Sequence, residues 1–188
     1  MRFKFFGVPL ELPFLAVALL SCVIILDYSG KIFLCILAAI VHECGHLFSM
    51  LCFKIKPDYI KLRAFDIVIC AKTDKSFLSD FLIALCGPVS NLLFACLFYK
   101  ISPDFSMINL LIGLFNLLPV ESFDGGHALS VLLNKKLSFK TTNVIIKVLT
   151  FIILIPIFIL GVLVLCYSKY NYSLLLISMY LLAILFLK

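Results

Sequence analysis

Apolar residues in this chain come in long blocks separated by short polar breaks. The blocks cover about residues 13–29, 31–53, 77–99, 106–119, 142–167 and 173–187. Most approach the roughly 20 residues that cross a hydrocarbon core, the fourth and sixth being short, so the pattern predicts about six transmembrane helices. Between the second and third blocks, residues 54–75 are the most polar stretch of the chain. Even there Ile60, Leu62, Phe65, Ile67 and Ile69 recur at largely strand-like spacing, which predicts a short strand or hairpin. Residues 2–12, with three charged side chains, a glycine and a proline, read as extended. After the fourth block, VESFDGGH leads into an amphipathic stretch ending near Leu133. The fold class expected is an all-α polytopic membrane protein with a small membrane-associated β element.

Composition supports this class. With 64% hydrophobic and 14% charged residues and a mean hydropathy of +1.20, the chain lacks the polar surface that keeps a soluble domain dispersed. One domain spanning residues 1–188 is expected, its catalytic core at about 31–134. The first apolar block lacks a small-residue cleavage site and is followed by five more, so it does not read as a cleavable signal. The net charge of +6 fits loop lysines and arginines of a membrane protein better than a nucleic-acid surface, since no basic stripe with interleaved aromatics appears. Taking alternate sides, one face of the membrane receives Arg2, Lys4, Lys54, Lys56, Lys61, Arg63, Lys72, Lys75, Lys135, Lys136, Lys140 and Lys188. The other receives only Lys31, Lys100 and Lys169. Basic loops stay inside, so both termini are expected in the cytoplasm, most simply of a bacterial cell. Eight scattered cysteines form no CxxC pair, which argues against a disulfide framework or a cysteine-based zinc site.

Candidate chemistry is concentrated in the second block. His42, Glu43 and His46 form H-E-x-x-H. On a helix, positions i and i+4 share a face, so two imidazoles can hold one metal, with Glu43 between them placed to deprotonate a water at the metal. A hydrogen-bonded structural cluster is the bland alternative, but two histidines and a glutamate inside a membrane span are costly without a purpose. A catalytic zinc takes three protein ligands and keeps a position for water. The residues leave the third ligand open among Glu11, Asp80, Asp124 and His127. Asp124 stands out because Gly125 and Gly126 would let the backbone turn sharply after it, although FDGG alone reads as an ordinary helix-end turn.

In three motifs the sequence resembles the site-2 proteases, intramembrane zinc metalloproteases. His42-Glu43-Cys44-Gly45-His46 is similar to their HExxH, and Gly87-Pro88-Val89-Ser90-Asn91 to their GPxxN-like motif. Asn116-Leu117-Leu118-Pro119 followed by Phe123-Asp124-Gly125-Gly126 is similar to their N-x-x-P…LDG element, with Phe123 in place of the usual Leu. The resemblance implies that one Zn2+ per chain is held by His42, His46 and Asp124, with Glu43 as catalytic base. It implies as partners a lipid bilayer, membrane-protein or membrane-tethered substrates, and a regulatory membrane protein. A metal transporter or a non-catalytic scaffold are the rival readings. The chain has no room for a PDZ or CBS domain and is most similar to the short six-span group typified by stage IV sporulation protein FB. Asn116 is a candidate oxyanion donor or substrate-orienting group. Asn91 reads as a tie between spans, and His127 as a partly solvated interfacial histidine. Phe65, Ile67 and Ile69 form a candidate strand against which an unwound substrate would pair.

Overall fold

The computed structural model describes residues 2–5, 8–11, 21, 27, 29–55, 59–62, 67–70, 77–168, 175–176 and 178–179. The chain divides into two compact units, Met1–Asn116 and Leu117–Lys188.

The first unit contains strands β1 (Arg2–Phe5) and β2 (Val8–Glu11), helix α1 (Lys31–Cys52), strands β3 (Tyr59–Leu62) and β4 (Ile67–Cys70), and helices α2 (Phe77–Phe98) and α3 (Pro103–Asn116). The strands form one sheet in the order β1-β2-β3-β4. The two outer pairs are antiparallel, and β2 runs parallel to β3 with Leu10 opposite Ile60 and Glu11 opposite Lys61. Strands β1 and β4 are therefore the edges.

Helix α1 is started by a side chain several residues upstream. Gly30, in the N-cap position, has φ 67° and brings no capping side chain. Asp27 takes over: one carboxylate oxygen accepts from the Ile32 N–H at 2.7 Å, the other from Ser29 N–H and Oγ–H at 3.0 and 2.6 Å. This satisfies a donor that a helix start leaves unpaired and sets negative charge at the positive end of the helix dipole. At the other end, Ile55 N–H reaches Met50 O and Lys54 N–H reaches Leu51 O, at 2.9 and 3.0 Å. This is a Schellman closure, with Lys54 left-handed at φ 55° where glycine is usual.

The buried positions of these helices are mostly small or polar. They are Ala38, His42, Ser49 and Met50 on α1; Ala84, Gly87, Pro88, Asn91 and Ala95 among those on α2; and Phe105, Ser106, Asn109 and Gly113 on α3. The three- and four-residue spacing puts each set on one face. Large apolar side chains point outward instead, with Phe48, Leu51, Leu93 and Leu97 all more than half exposed. That inversion suits helices whose surroundings are lipid, where close backbone approach and hydrogen bonds replace hydrophobic burial as glue. A Cβ on Gly45 would lie 2.5 Å from the Cys86 carbonyl oxygen and 2.6 Å from Ser90 Oγ. Ser90 Oγ–H, in turn, reaches the Val41 carbonyl at 3.0 Å. Gly113 lets α3 approach α2, since a Cβ there would be 3.1 Å from the Pro88 carbonyl.

The second unit contains α4 (Asp124–Asn134) and α5 (Phe139–Ser168). Buried Thr142, Ile146, Thr150 and Leu154 recur every fourth residue on α5, while Val144, Val148, Ile152 and Ile159 are exposed. Thr150 Oγ–H donates to Ile146 O at 2.8 Å and Oγ accepts from Glu121 N–H at 2.9 Å.

Helices α1, α2 and α5 are long and apolar enough to cross a membrane, and the chain is an integral membrane protein. The fourth apolar block forms the 14-residue α3, which begins and ends three residues earlier than expected. Pro119 disfavours helix at the residue before it, and the chain turns instead through Val120 N–H to Leu118 O and Phe123 N–H to Val120 O, at 2.8 and 2.9 Å. Most of the first and sixth apolar blocks lies outside the described residues.

Candidate metal site

His42 and His46 leave α1 on one face, and their Nε2 atoms lie 3.2 Å apart. Two nitrogen ligands at roughly 2.0–2.1 Å from one tetrahedral zinc would be about 3.3 Å apart, so the spacing fits a shared ion.

The other nitrogen of each ring decides what Nε2 offers. His46 Nδ1 is 2.8 Å from the Ile83 carbonyl oxygen. A carbonyl can only accept, so Nδ1 carries the hydrogen and the neutral ring keeps its lone pair on Nε2. His42 Nδ1 is 2.6 Å from Asn91 Oδ1. That amide is oriented by its own Nδ2, which donates to Ala38 O at 2.9 Å and to Asn109 Oδ1 at 2.8 Å. Turned over, it would press its oxygen against the Ala38 carbonyl. Nδ1 of His42 is therefore also a donor, and its lone pair too lies on Nε2. Two lone pairs presented to one point favour a cation there, and neutral imidazoles with hydrogen-bonded Nδ1–H groups are the usual form of zinc-binding histidines.

Helix α2 builds this geometry. A Cβ on Gly87 would fall into the His46 imidazole and lie 2.9 Å from His42 Nε2, so only glycine leaves the rings room. Pro88 follows inside the helix and removes the N–H that would bond the Ala84 carbonyl, next to the Ile83 carbonyl that holds His46. Asn91 lies one turn further on. It and Asn109 are fully buried, and His42 is 8% exposed. The amide chain ends on the Phe105 carbonyl, which accepts from Asn109 Nδ2 at 2.9 Å, so each of these buried amides is hydrogen-bonded. Glu43 follows His42 by one residue, about 100° around the helix, and is half-buried.

Asp124 opens α4 in the second unit as the acidic residue of its first turn. The two glycines after it do not make a left-handed turn: among the described glycines only Gly30 has positive φ. They serve close approach instead. A Cβ on Gly125 would meet the Leu117 and Leu118 carbonyls, and one on Gly126 the Val120 carbonyl. Asn116 ends α3, its Nδ2–H donating to the Ile112 carbonyl at 3.0 Å. His127 is exposed. Of the other acids weighed as third ligands, Glu11 lies on β2 and Asp80 in the first turn of α2. Ile67 and Ile69 lie on the edge strand β4, and Phe65 falls outside the described residues.

Reading the sequence left two features out. Asn91 was expected to tie spans together, and it does, but it also orients His42. Asn109 was not singled out. The signal was available, since an amide inside SMINLLIGLF costs free energy unless something accepts and donates to it.

Comparison with known proteins places these residues in context. Residues 104–156 match Peptidase family M50. A zinc metalloprotease of Methanocaldococcus jannaschii is 26% identical over 164 residues, covering 76% of this chain and 48% of that protein; the chain thus spans about half the length of that relative. Among solved structures, the site-2 protease from the same organism superposes with a TM-score of 0.72 at 22% identity, covering 96% of this chain and 91% of that one.

Proposed function

We propose that the chain is a member of the site-2 proteases of peptidase family M50 and an intramembrane zinc metalloprotease, a reading supported by the match of residues 104–156 to that family and by the shared fold. It hydrolyses peptide bonds of membrane-embedded or membrane-tethered proteins. The observation that carries this reading is the pair of Nε2 atoms 3.2 Å apart, each with its Nδ1 hydrogen-bonded to an oxygen acceptor.

His42 and His46 hold the zinc, and Asp124 completes the set as third ligand, supported by the FDGG motif and its place at a helix start. The metal, when bound, supplies Lewis acidity to water and to the scissile carbonyl. Glu43 takes the proton from the attacking water and returns it to the leaving amine. Asn116 has a second amide hydrogen beyond the one given to Ile112, and donates it to the developing oxyanion. His42 lies eleven residues into α1, about 16 Å along it, near the middle of the span. Water must therefore reach it through a cleft.

The same proposal gives the finer readings. The whole chain works as one catalytic domain of a six-span protein with cytoplasmic termini, in the manner of the short sporulation-linked group. The lysine and arginine asymmetry supports that orientation, and labelling of a cysteine at position 72 only from outside would overturn it. The sheet lies at the membrane surface. Its β4 edge, with Ile67 and Ile69 and the preceding Phe65, accepts an unwound substrate as a further strand, because main-chain hydrogen bonds hold many sequences extended. Crosslinking from positions 65 to 70 to a trapped substrate tests this; no crosslink there would remove the strand from the account.

The test of the function is cleavage of a membrane-tethered reporter by wild type and Glu43→Gln, each with its zinc content measured. Cleavage by wild type and none by a zinc-replete Glu43→Gln is expected. Equal cleavage by both would refute the mechanism, and zinc transport without cleavage would favour the transporter reading.

A further inference from the structure

We propose that Asn109 is a positioning residue for the metal site, acting on His42 through Asn91. The inference rests on the reading of His42 and His46 as zinc ligands. Asn109 touches neither ring. It stands on α3, and its two polar atoms do different things: Nδ2 donates to Phe105 O at 2.9 Å within its own helix, and Oδ1 accepts from Asn91 Nδ2 at 2.8 Å.

The first bond sets which way the Asn109 amide faces, because a flipped amide would oppose its oxygen to the Phe105 carbonyl. With Oδ1 thus turned toward α2, Asn91 has two acceptors for its two N–H groups, Asn109 on one side and Ala38 O at 2.9 Å on the other. Its remaining polar atom, Oδ1, then has one orientation, toward His42 Nδ1 at 2.6 Å. The lone pair of His42 is in this way fixed on Nε2 by a residue two hydrogen bonds away. Both amides are 0% exposed, so no solvent competes for these bonds and the chain is stiff.

A merely structural role is the alternative, since polar side chains also glue apolar helices together. Ser106 provides the control. It is buried three residues before Asn109 on the same helix and donates to the Ala95 carbonyl on α2 at 2.6 Å, but its bond does not lead to a histidine.

The chain has three histidines, so selective 15N labelling of the rings gives a readable spectrum. In metal-free protein above the pH where imidazole titrates, His42 of the wild type is expected with its hydrogen on Nδ1. In Asn109→Leu the Asn91 amide loses one of its two acceptors, and His42 becomes a mixture of tautomers. Zinc affinity, measured by competition with a chelator, falls about tenfold or more, as outer partners of metal ligands commonly cause. Asn109→Asp retains an oxygen acceptor for Asn91 and is expected to restore both readouts. Ser106→Ala changes neither. If Asn109→Leu does not fold, Asn109→Thr serves: its hydroxyl can still meet the Phe105 carbonyl but is too short to reach Asn91. An unchanged His42 tautomer in the loss variants overturns the proposal, as does an equal effect from Ser106→Ala. A wild type that binds no zinc would defeat the metal reading instead, while the tautomer readout still decides the role of Asn109.

Discussion

Helices α2 and α5 look alike in sequence: both are apolar enough to cross a membrane, both contain a proline, and both bury hydrogen-bonding side chains. What those side chains are bonded to separates them. On α5, Thr150 returns its hydrogen to the Ile146 carbonyl one turn back and accepts the Glu121 backbone N–H, so its bonds end on main chain. On α2, Asn91 joins α1 and α3 and ends on an imidazole nitrogen. Polarity inside a membrane span is thus not in itself a sign of chemistry. A buried polar group marks a site when its hydrogen-bond chain terminates on an atom that can bind a ligand.

The largest effect is expected at Glu43, the residue next to His42 on α1. Glu43→Gln should lower cleavage by on the order of a hundredfold or more with zinc content unchanged, as measured by reporter cleavage beside metal analysis. Next comes the space the rings occupy. Gly87→Ala puts a methyl where His46 stands, and is expected to cost roughly 1–3 kcal/mol in overpacking and to lower zinc affinity, by chelator competition, at least about tenfold. Gly113→Ala, whose Cβ would meet Leu92 and the Pro88 carbonyl at 3.1 Å, should disturb stability while sparing zinc affinity.

The two helices can then be set against each other directly. Asn91→Leu should weaken zinc binding about 10- to 100-fold. Thr150→Val, which leaves the Glu121 N–H without its acceptor, should cost about 1–3 kcal/mol in thermal or denaturant stability and leave zinc affinity unaltered. Equal effects on zinc from both would erase the distinction. The smallest effect is expected at Asp27→Asn, outside both helices, where faster hydrogen exchange at the Ile32 amide should accompany a slight loss of thermal stability.

Much of the fold was legible because hydropathy and length are coarse signals that lipid makes strict. The starts of α1 and α2 and the extent of α5 follow from them to within a few residues. The end of α3 did not, since Asn116 is followed by an apolar LLP that hydropathy continues and proline stops. Strands β1 and β2 fall within residues 2–12, read as extended from their charges, glycine and proline, and β3 and β4 within the stretch read as strand-like from its spacing. Their register was not legible, because strands of four residues almost fifty positions apart carry too little pattern to fix it. At the site, the His42–His46 spacing is a property of one helix and could be read directly. The roles of Gly87, Asn91 and Asn109 depend on where three helices cross, and single residues do not encode that. The FDGG glycines were assigned to a sharp turn, whereas carbonyls of Leu117, Leu118 and Val120 crowd them and close approach is the physical requirement.

The central claim is that His42 and His46, preset by their Nδ1 partners, hold a zinc ion with Asp124. Metal analysis of the purified wild type beside His46→Ala and Asp124→Ala tests it most directly. About one zinc per chain in the wild type, falling well below that in both variants at equal chelator, is the result expected. Zinc content unchanged in Asp124→Ala would remove that residue from the ligand set, and a wild type without zinc, or a His46→Ala form that keeps it, would contradict the claim itself.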